Sequence, residues 1–213
     1  MQSEQEFLEQ IDERVREREP ERREPTVASR ALGEAKATVR DLVQFSMLAI
    51  IIVTFVVQPV KVEGSSMLPK LHDGERIIIN KFLYALDGWP SPDLSLGRSV
   101  RRGDIVVFYY PNDPSKRYVK RVIGVPGDLV RIDDDGRVFI NGDQVEEPYL
   151  SDEYTQLPDA MPTTRVADHH YFVMGDNRDN SSDSRAWGLV PERYICGEAV
   201  FRFWPLGEVG SIE

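Results

Sequence analysis

The strongest constraint on this chain is a run of 19 residues, 42–60, that carries no charged side chain. It contains Met47-Leu48-Ala49-Ile50-Ile51-Ile52-Val53, and Gln44, Ser46, Thr54 and Gln58 are its polar members. As a single helix it reaches about 28 Å, close to the thickness of a bilayer's hydrocarbon core. A core helix would keep a polar face, which this run lacks. A cleavable secretion signal would start near the N-terminus, whereas 41 hydrophilic residues precede this run and no small-x-small pattern follows it. Residues 42–60 are therefore expected to form a retained single transmembrane anchor. Residues 22–41 hold five Lys/Arg and residues 58–77 hold three, which favours a cytoplasmic N-terminus and an extracytoplasmic C-terminal part.

On either side of this run the chain is hydrophilic, and the two parts differ. Residues 1–41 alternate Glu and Arg, are broken at Pro20 and Pro25, and have too few large apolar side chains for a core. They are expected to be a charged tail. The net charge of −10 is spread along the chain with no basic stripe, which argues against nucleic-acid binding. The single cysteine, Cys196, cannot close an internal disulfide. Of three histidines, His72, His169 and His170, the last two are adjacent and would point to opposite faces of a strand, so a metal site is not expected.

Residues 61–213 read as a mainly antiparallel β domain of short β-prone runs separated by turns. Strands are expected at Arg76–Asn80, Ile105–Tyr110, 118–125, Leu129–Ile132, Val138–Ile140, 171–174 and 199–204. Asp135-Gly136 and Asn141-Gly142 are tight-turn signals that make 129–145 a small meander. The Pro- and Gly-containing stretches 83–102 and 148–165 read as surface loops.

Three segments in this domain are candidates for chemistry: Gly64-Ser65-Ser66-Met67-Leu68-Pro69-Lys70-Leu71, Tyr118-Val119-Lys120-Arg121, and the stretch from Gly175 to Gly188. Alone, each has an ordinary explanation. A Ser-Ser pair after glycine is commonly a turn. Lys120 would share a strand face with Tyr118 and Val122, and a surface lysine can lay its stem along such neighbours with its ammonium in water. Asp183 and Arg185 could be a structural ion pair in a loop that satisfies itself.

Together, in this order and behind an apolar run, the segments resemble type I signal peptidases from about residue 42 to residue 205. Ser66-Met67-Leu68-Pro69 is similar to the family's Ser-Met-x-Pro nucleophile motif, and Tyr118-Val119-Lys120-Arg121 to its general-base motif. Gly175 to Arg185 is similar to its glycine-aspartate-asparagine box. The resemblance implies Ser66 as nucleophile and Lys120 as general base, with Ser181, Asp183, Arg185 and Tyr118 in support. It implies a membrane-bound serine endopeptidase that cuts preproteins after small residues, with no cofactor, on the outer side of the plasma membrane. Two positions depart from the common pattern: Lys70 stands where threonine is usual, and Gly64 where some members carry an oxyanion-binding serine.

The implied chemistry sets a physical requirement. An ordinary lysine, with a pKa of about 10.4, is neutral roughly 0.04% of the time at pH 7, whereas a value near 8 raises this to roughly 10%. Lys120 must then be buried. With only five residues between Val60 and Ser66, the nucleophile would lie within about 22 Å of the anchor's end. Three other readings stand beside this one: a self-cleaving Ser-Lys repressor-type protease, an inactive membrane-tethered β module, and a Ser-His-Asp hydrolase using His72, His169 or His170.

Overall fold

A computed structural model describes residues 27–81, 100–156 and 159–212 of the chain. Contacts divide the chain into two compact units, Met1–Ala49 and Ile50–Glu213. Helix α1 (Val27–Phe55) runs from the charged segment into the apolar one, and residues 42–51 are all exposed. The expected anchor is corrected at its end: α1 stops at Phe55, and Val57–Lys61 is strand β1. No helix among the described residues is long and apolar enough to cross a membrane. The physical reason lies in the run itself, where β-branched Val56 and Val57 precede Pro59, which cannot continue a helix. The backbone pairs instead with β2 (Arg76–Asn80), Val57 opposite Asn80 and Lys61 opposite Arg76.

The remaining strands are β3 (Ile105–Tyr110), β4 (Asp113–Gly124), β5 (Leu129–Ile132), β6 (Val138–Ile140), β7 (Asp143–Gln144), β8 (Met161–Arg165), β9 (His170–Met174), β10 (Val190–Pro191), β11 (Ile195–Trp204) and β12 (Gly210–Ser211). Before β10 comes one short helix, α2 (Ser184–Trp187). An eight-stranded sheet has the order β1-β2-β11-β3-β4-β9-β10, with β12 on β11, and a four-stranded sheet the order β7-β6-β5-β8. All the pairings are antiparallel. The expected mainly antiparallel β class is what the chain adopts. β8 lies where 148–165 reads as loop, and most of the expected 83–102 loop lies outside the described residues.

Alternation along the central strands buries both faces of the large sheet. In β3, Ile105 and Val107 join a cluster with Val62, Met67, Leu71, Ile77 and Ile79, while Val106 and Phe108 face Val122, Tyr171 and Val173. In β9, Phe172 and Met174 instead pack against Val130, Ile132, Val138 and Ile140 of the small sheet. Central strands buried on both sides are rigid supports for a site.

Candidate active site

Ser66 is fixed by the residues that follow it. Met67 and Leu71 are fully buried, and the Leu71 amide donates to the Met67 carbonyl (2.9 Å), so one turn plugs the core and leaves Ser66 at its rim. Gly64 enters this turn at φ +91°, and its amide donates to Asp73 Oδ1 (2.8 Å). A Cβ at Gly64 would meet nothing within 4 Å, so the left-handed backbone, rather than space, is what favours glycine there.

Lys120 comes from the middle of β4, opposite Val106, and is 4% exposed. Its Nζ lies 2.6 Å from Ser66 Oγ and donates to the Val119 carbonyl at 3.0 Å. Burial brings the amine down from 10.5 to about 8; the Asp183 and Asp176 carboxylates oppose the fall and Arg185 adds to it. Ser65 is engaged elsewhere: its hydroxyl accepts from Asn180 Nδ2 (2.9 Å) and its carbonyl from Asn177 Nδ2 (3.1 Å). Tyr118 lies beneath the amine, 5.5 Å from ring centroid to Nζ, and stacks on Tyr110.

The loop after β9 closes the site from behind. The Asn177 amide donates to the Ser66 carbonyl at 3.1 Å. Asp183 caps α2, accepts from the Gly175 amide (3.0 Å), and takes a two-pronged contact from Arg185 at 2.9 Å on each oxygen. Burial pushes the Asp183 carboxyl up, but Arg185 and the Gly175 amide outweigh it and hold the group below the usual carboxylate range. Gly175 has no room for a side chain, since a Cβ would sit 2.3 Å from Ser181 Oγ and 2.4 Å from the Ser66 carbonyl. Ser181, also implied in support, places its buried Oγ beside Gly175, makes no hydrogen bond to Lys120, and helps hold the Asp183 carboxyl low.

The structure brings Ser66, Lys120, Tyr118, Asp183 and Arg185 together as the motifs lead one to expect. It adds residues to which sequence reasoning assigned no role. Arg121 makes a two-pronged, fully buried contact with Asp176 (2.8 and 2.7 Å) and donates to the Gly103 carbonyl. Arg178 binds Glu147 with both terminal nitrogens and donates from Nε to the Gly175 carbonyl (3.1 Å). The available signal was the adjacency of Arg121 to Lys120 and of Asp176 to Gly175. Lys70 lines a separate cleft with His72, Tyr149, Arg202 and Glu208. His169 pairs with Glu192 and His170 with the Asp168 carbonyl, so neither serves Ser66. His72, Glu75 and Glu208 lie close enough to hold a metal ion, but the Arg202 guanidinium bridges both carboxylates (2.6 and 3.0 Å) and supplies the positive charge.

A groove of about 570 Å³ opens onto the dyad, lined on one side by residues 59–66 and on the other by Ser115 and residues 117–120. Ile77 and Val107 contribute apolar lining. Among the described residues β1 pairs only with β2, and β4 before Arg121 pairs only with β3, so each strand has an open edge.

Residues 35–204 match the family model described as signal peptidase, peptidase S26. The chain is 38% identical over 205 residues to a signal peptidase I of Pseudomonas fluorescens, covering 76% of this chain and 71% of that protein. To a signal peptidase I of Bacillus amyloliquefaciens it is 39% identical over 198 residues, covering 89% and 96%. To signal peptidase I S of Bacillus subtilis it is 40% identical over 175 residues, covering 76% and 85%. The match includes Ser66, Lys120 and the loop from Gly175 to Arg185, and the chain belongs to the signal peptidase family, peptidase S26.

Proposed function

We propose that the chain is a membrane-bound serine endopeptidase that removes signal peptides from preproteins, with Ser66 as nucleophile and Lys120 as general base. The observation that carries this reading is the 2.6 Å approach of Lys120 Nζ to Ser66 Oγ in a pocket that keeps the lysine dry. The neutral amine takes the Ser66 proton as Oγ attacks the scissile carbonyl, then passes it to the departing amine. Water, with Lys120 again as base, hydrolyses the resulting ester. The Val119 carbonyl orients the amine. The Ser66 amide, which has no acceptor among the described residues, is the oxyanion donor, so no serine is needed at Gly64. Asp183 and Arg185 hold the wall of the pocket, with Ser181 behind Gly175.

The substrate lies extended between the open edges of β1 and β4, where backbone groups of both strands are available to pair with it. The selection of small residues before the cut follows from the family resemblance. Residues 1–41 form the tail, the apolar part of α1 is a single-pass anchor in the plasma membrane, and the β domain lies outside the cytoplasm. In support, Leu42, Phe45 and Ile50 are each more than 60% exposed, with apolar side chains facing outward all round the helix. The uncharged part of α1 spans about 21 Å, a mismatch that local bilayer thinning and snorkelling of Arg40 accommodate. Protease added to intact spheroplasts should digest the β domain and spare the tail; digestion of the tail alone would reverse the topology.

The test of function is incubation of the detergent-solubilised protein with a preprotein. Ser66→Ala should abolish cleavage and Ser65→Ala should leave most of it, because only Ser66 touches Lys120. Equal loss from both would remove the assignment.

A further inference from the structure

Glu147 and Tyr149 lie just beyond β7, in the chain leaving the small sheet, and nothing in the proposed chemistry uses them. Their side chains join two buried ion pairs of the catalytic loop. The Glu147 carboxylate accepts from both terminal nitrogens of Arg178 and from the Tyr149 hydroxyl (2.6 Å). The Glu147 side chain is 8% exposed and that of Arg178 6%. The Tyr149 ring covers the Arg121 guanidinium at 3.9 Å, and Arg121 in turn holds Asp176. One residue later, Asn177 grips the Ser66 carbonyl. A continuous path of contacts therefore runs from the small sheet's exit to Asp176, whose carboxylate acts on Lys120, and to the neighbouring Asn177, which holds Ser66.

We propose that Tyr149, locked by Glu147, is a positioning residue that seals these buried ion pairs from water and so keeps the general base dry. The inference rests on Lys120 being that base. The groups around Lys120 are Ser66 from the turn after β1, Tyr118 from β4, Asp176 from the loop after β9, and Asp183 and Arg185 at α2, while Arg121, next to it on β4, points to the other face of the strand and reaches the site through Asp176. The three acidic groups of this region, Asp176, Asp183 and Glu147, are each matched by an arginine. Removing an uncharged cover leaves that balance intact and admits water, so the amine moves back toward its ordinary value. The small sheet, which contributes no residue to the dyad, thereby acquires a part in catalysis.

The seal makes a prediction that a purely structural role does not. Tyr149→Ala should lower kcat near pH 7 about tenfold, the effect of raising the base's pKa by one unit, with KM little changed. The same variant should recover toward the wild-type rate near pH 10, where the lysine is neutral in both proteins. Tyr149→Phe, which keeps the ring over Arg121, should retain most of the neutral-pH rate. Should the alanine variant not fold, as judged by thermal melting, Tyr149→Leu must show the same recovery at high pH. A loss that is equal at both pH values, or no loss at all, overturns the seal. Neither result touches the dyad, which is tested separately by Ser66→Ala and Lys120→Ala.

Discussion

Lys120→Ala is expected to lower the cleavage rate by about 10³- to 10⁴-fold, nearly as far as Ser66→Ala, because without the amine the Ser66 proton has no acceptor. The two groups act as one unit at 2.6 Å, so the double variant should be no worse than either single one. Wild-type kcat/KM should rise with pH through an apparent pKa of about 8, the value to which burial brings Lys120. The sign follows from the role: below that value the amine is protonated and cannot accept, above it the amine is neutral and can. Lys70→Thr should leave the rate within about tenfold, since Lys70 lines another cleft. A modest loss from Lys120→Ala beside an inactive Lys70→Thr would reassign the base. A rising limb near pH 6.5 that survives Lys120→Ala would point to a histidine instead.

Gly175→Ala should also be damaging, though less so, even though glycine carries no functional group. Its new methyl would meet Ser181 Oγ at 2.3 Å and the Ser66 carbonyl at 2.4 Å, distances at which something must move. Backbone on the Ser66 side is held by Asn177 and by the buried Met67, so strain is directed at the nucleophile. A displacement of about 1 Å there costs roughly 10²-fold in rate, and overpacking costs about 1–3 kcal/mol in stability. Turnover and thermal melting of the purified variant measure the two effects. Gly207→Ala, where a Cβ meets nothing within 4 Å, is the control and should melt and cleave like wild type. If Gly175→Ala cleaved at the wild-type rate, the tight passage behind Ser66 would have no catalytic meaning.

The β class and several strands were legible in the sequence because β-branched alternation and turn residues are local signals. Ile105–Tyr110, Leu129–Ile132 and Val138–Ile140 came out with the expected bounds, and Asn141-Gly142 joins β6 to β7. β8 was missed because Met161–Arg165 has little hydrophobic pattern of its own and is a strand by virtue of pairing with β5. The absence of charge in 42–60 was equally plain, but hydropathy has no term for where helix yields to strand. Val56, Val57 and Pro59 make the helix stop there locally, and the partner strand β2, whose edge takes up Val57–Lys61, turns the stop into a strand.

The site divides in the same way. Ser66, Lys120, Asp183 and Arg185 could be named because each lies in a short recognisable motif. By its own neighbours, though, Lys120 reads better as a surface lysine whose ammonium reaches water. Its burial and its contact with a serine 54 positions away arise only when β4 is enclosed by β3 and the loop after β9. The pairs Arg121–Asp176 and Arg178–Glu147 join residues 55 and 31 positions apart, and no local pattern marks either one. Residue types and their order are carried by the chain itself. Dryness, and with it the pKa on which a lysine base depends, is a property of the surrounding volume and exists only once the sheets have packed.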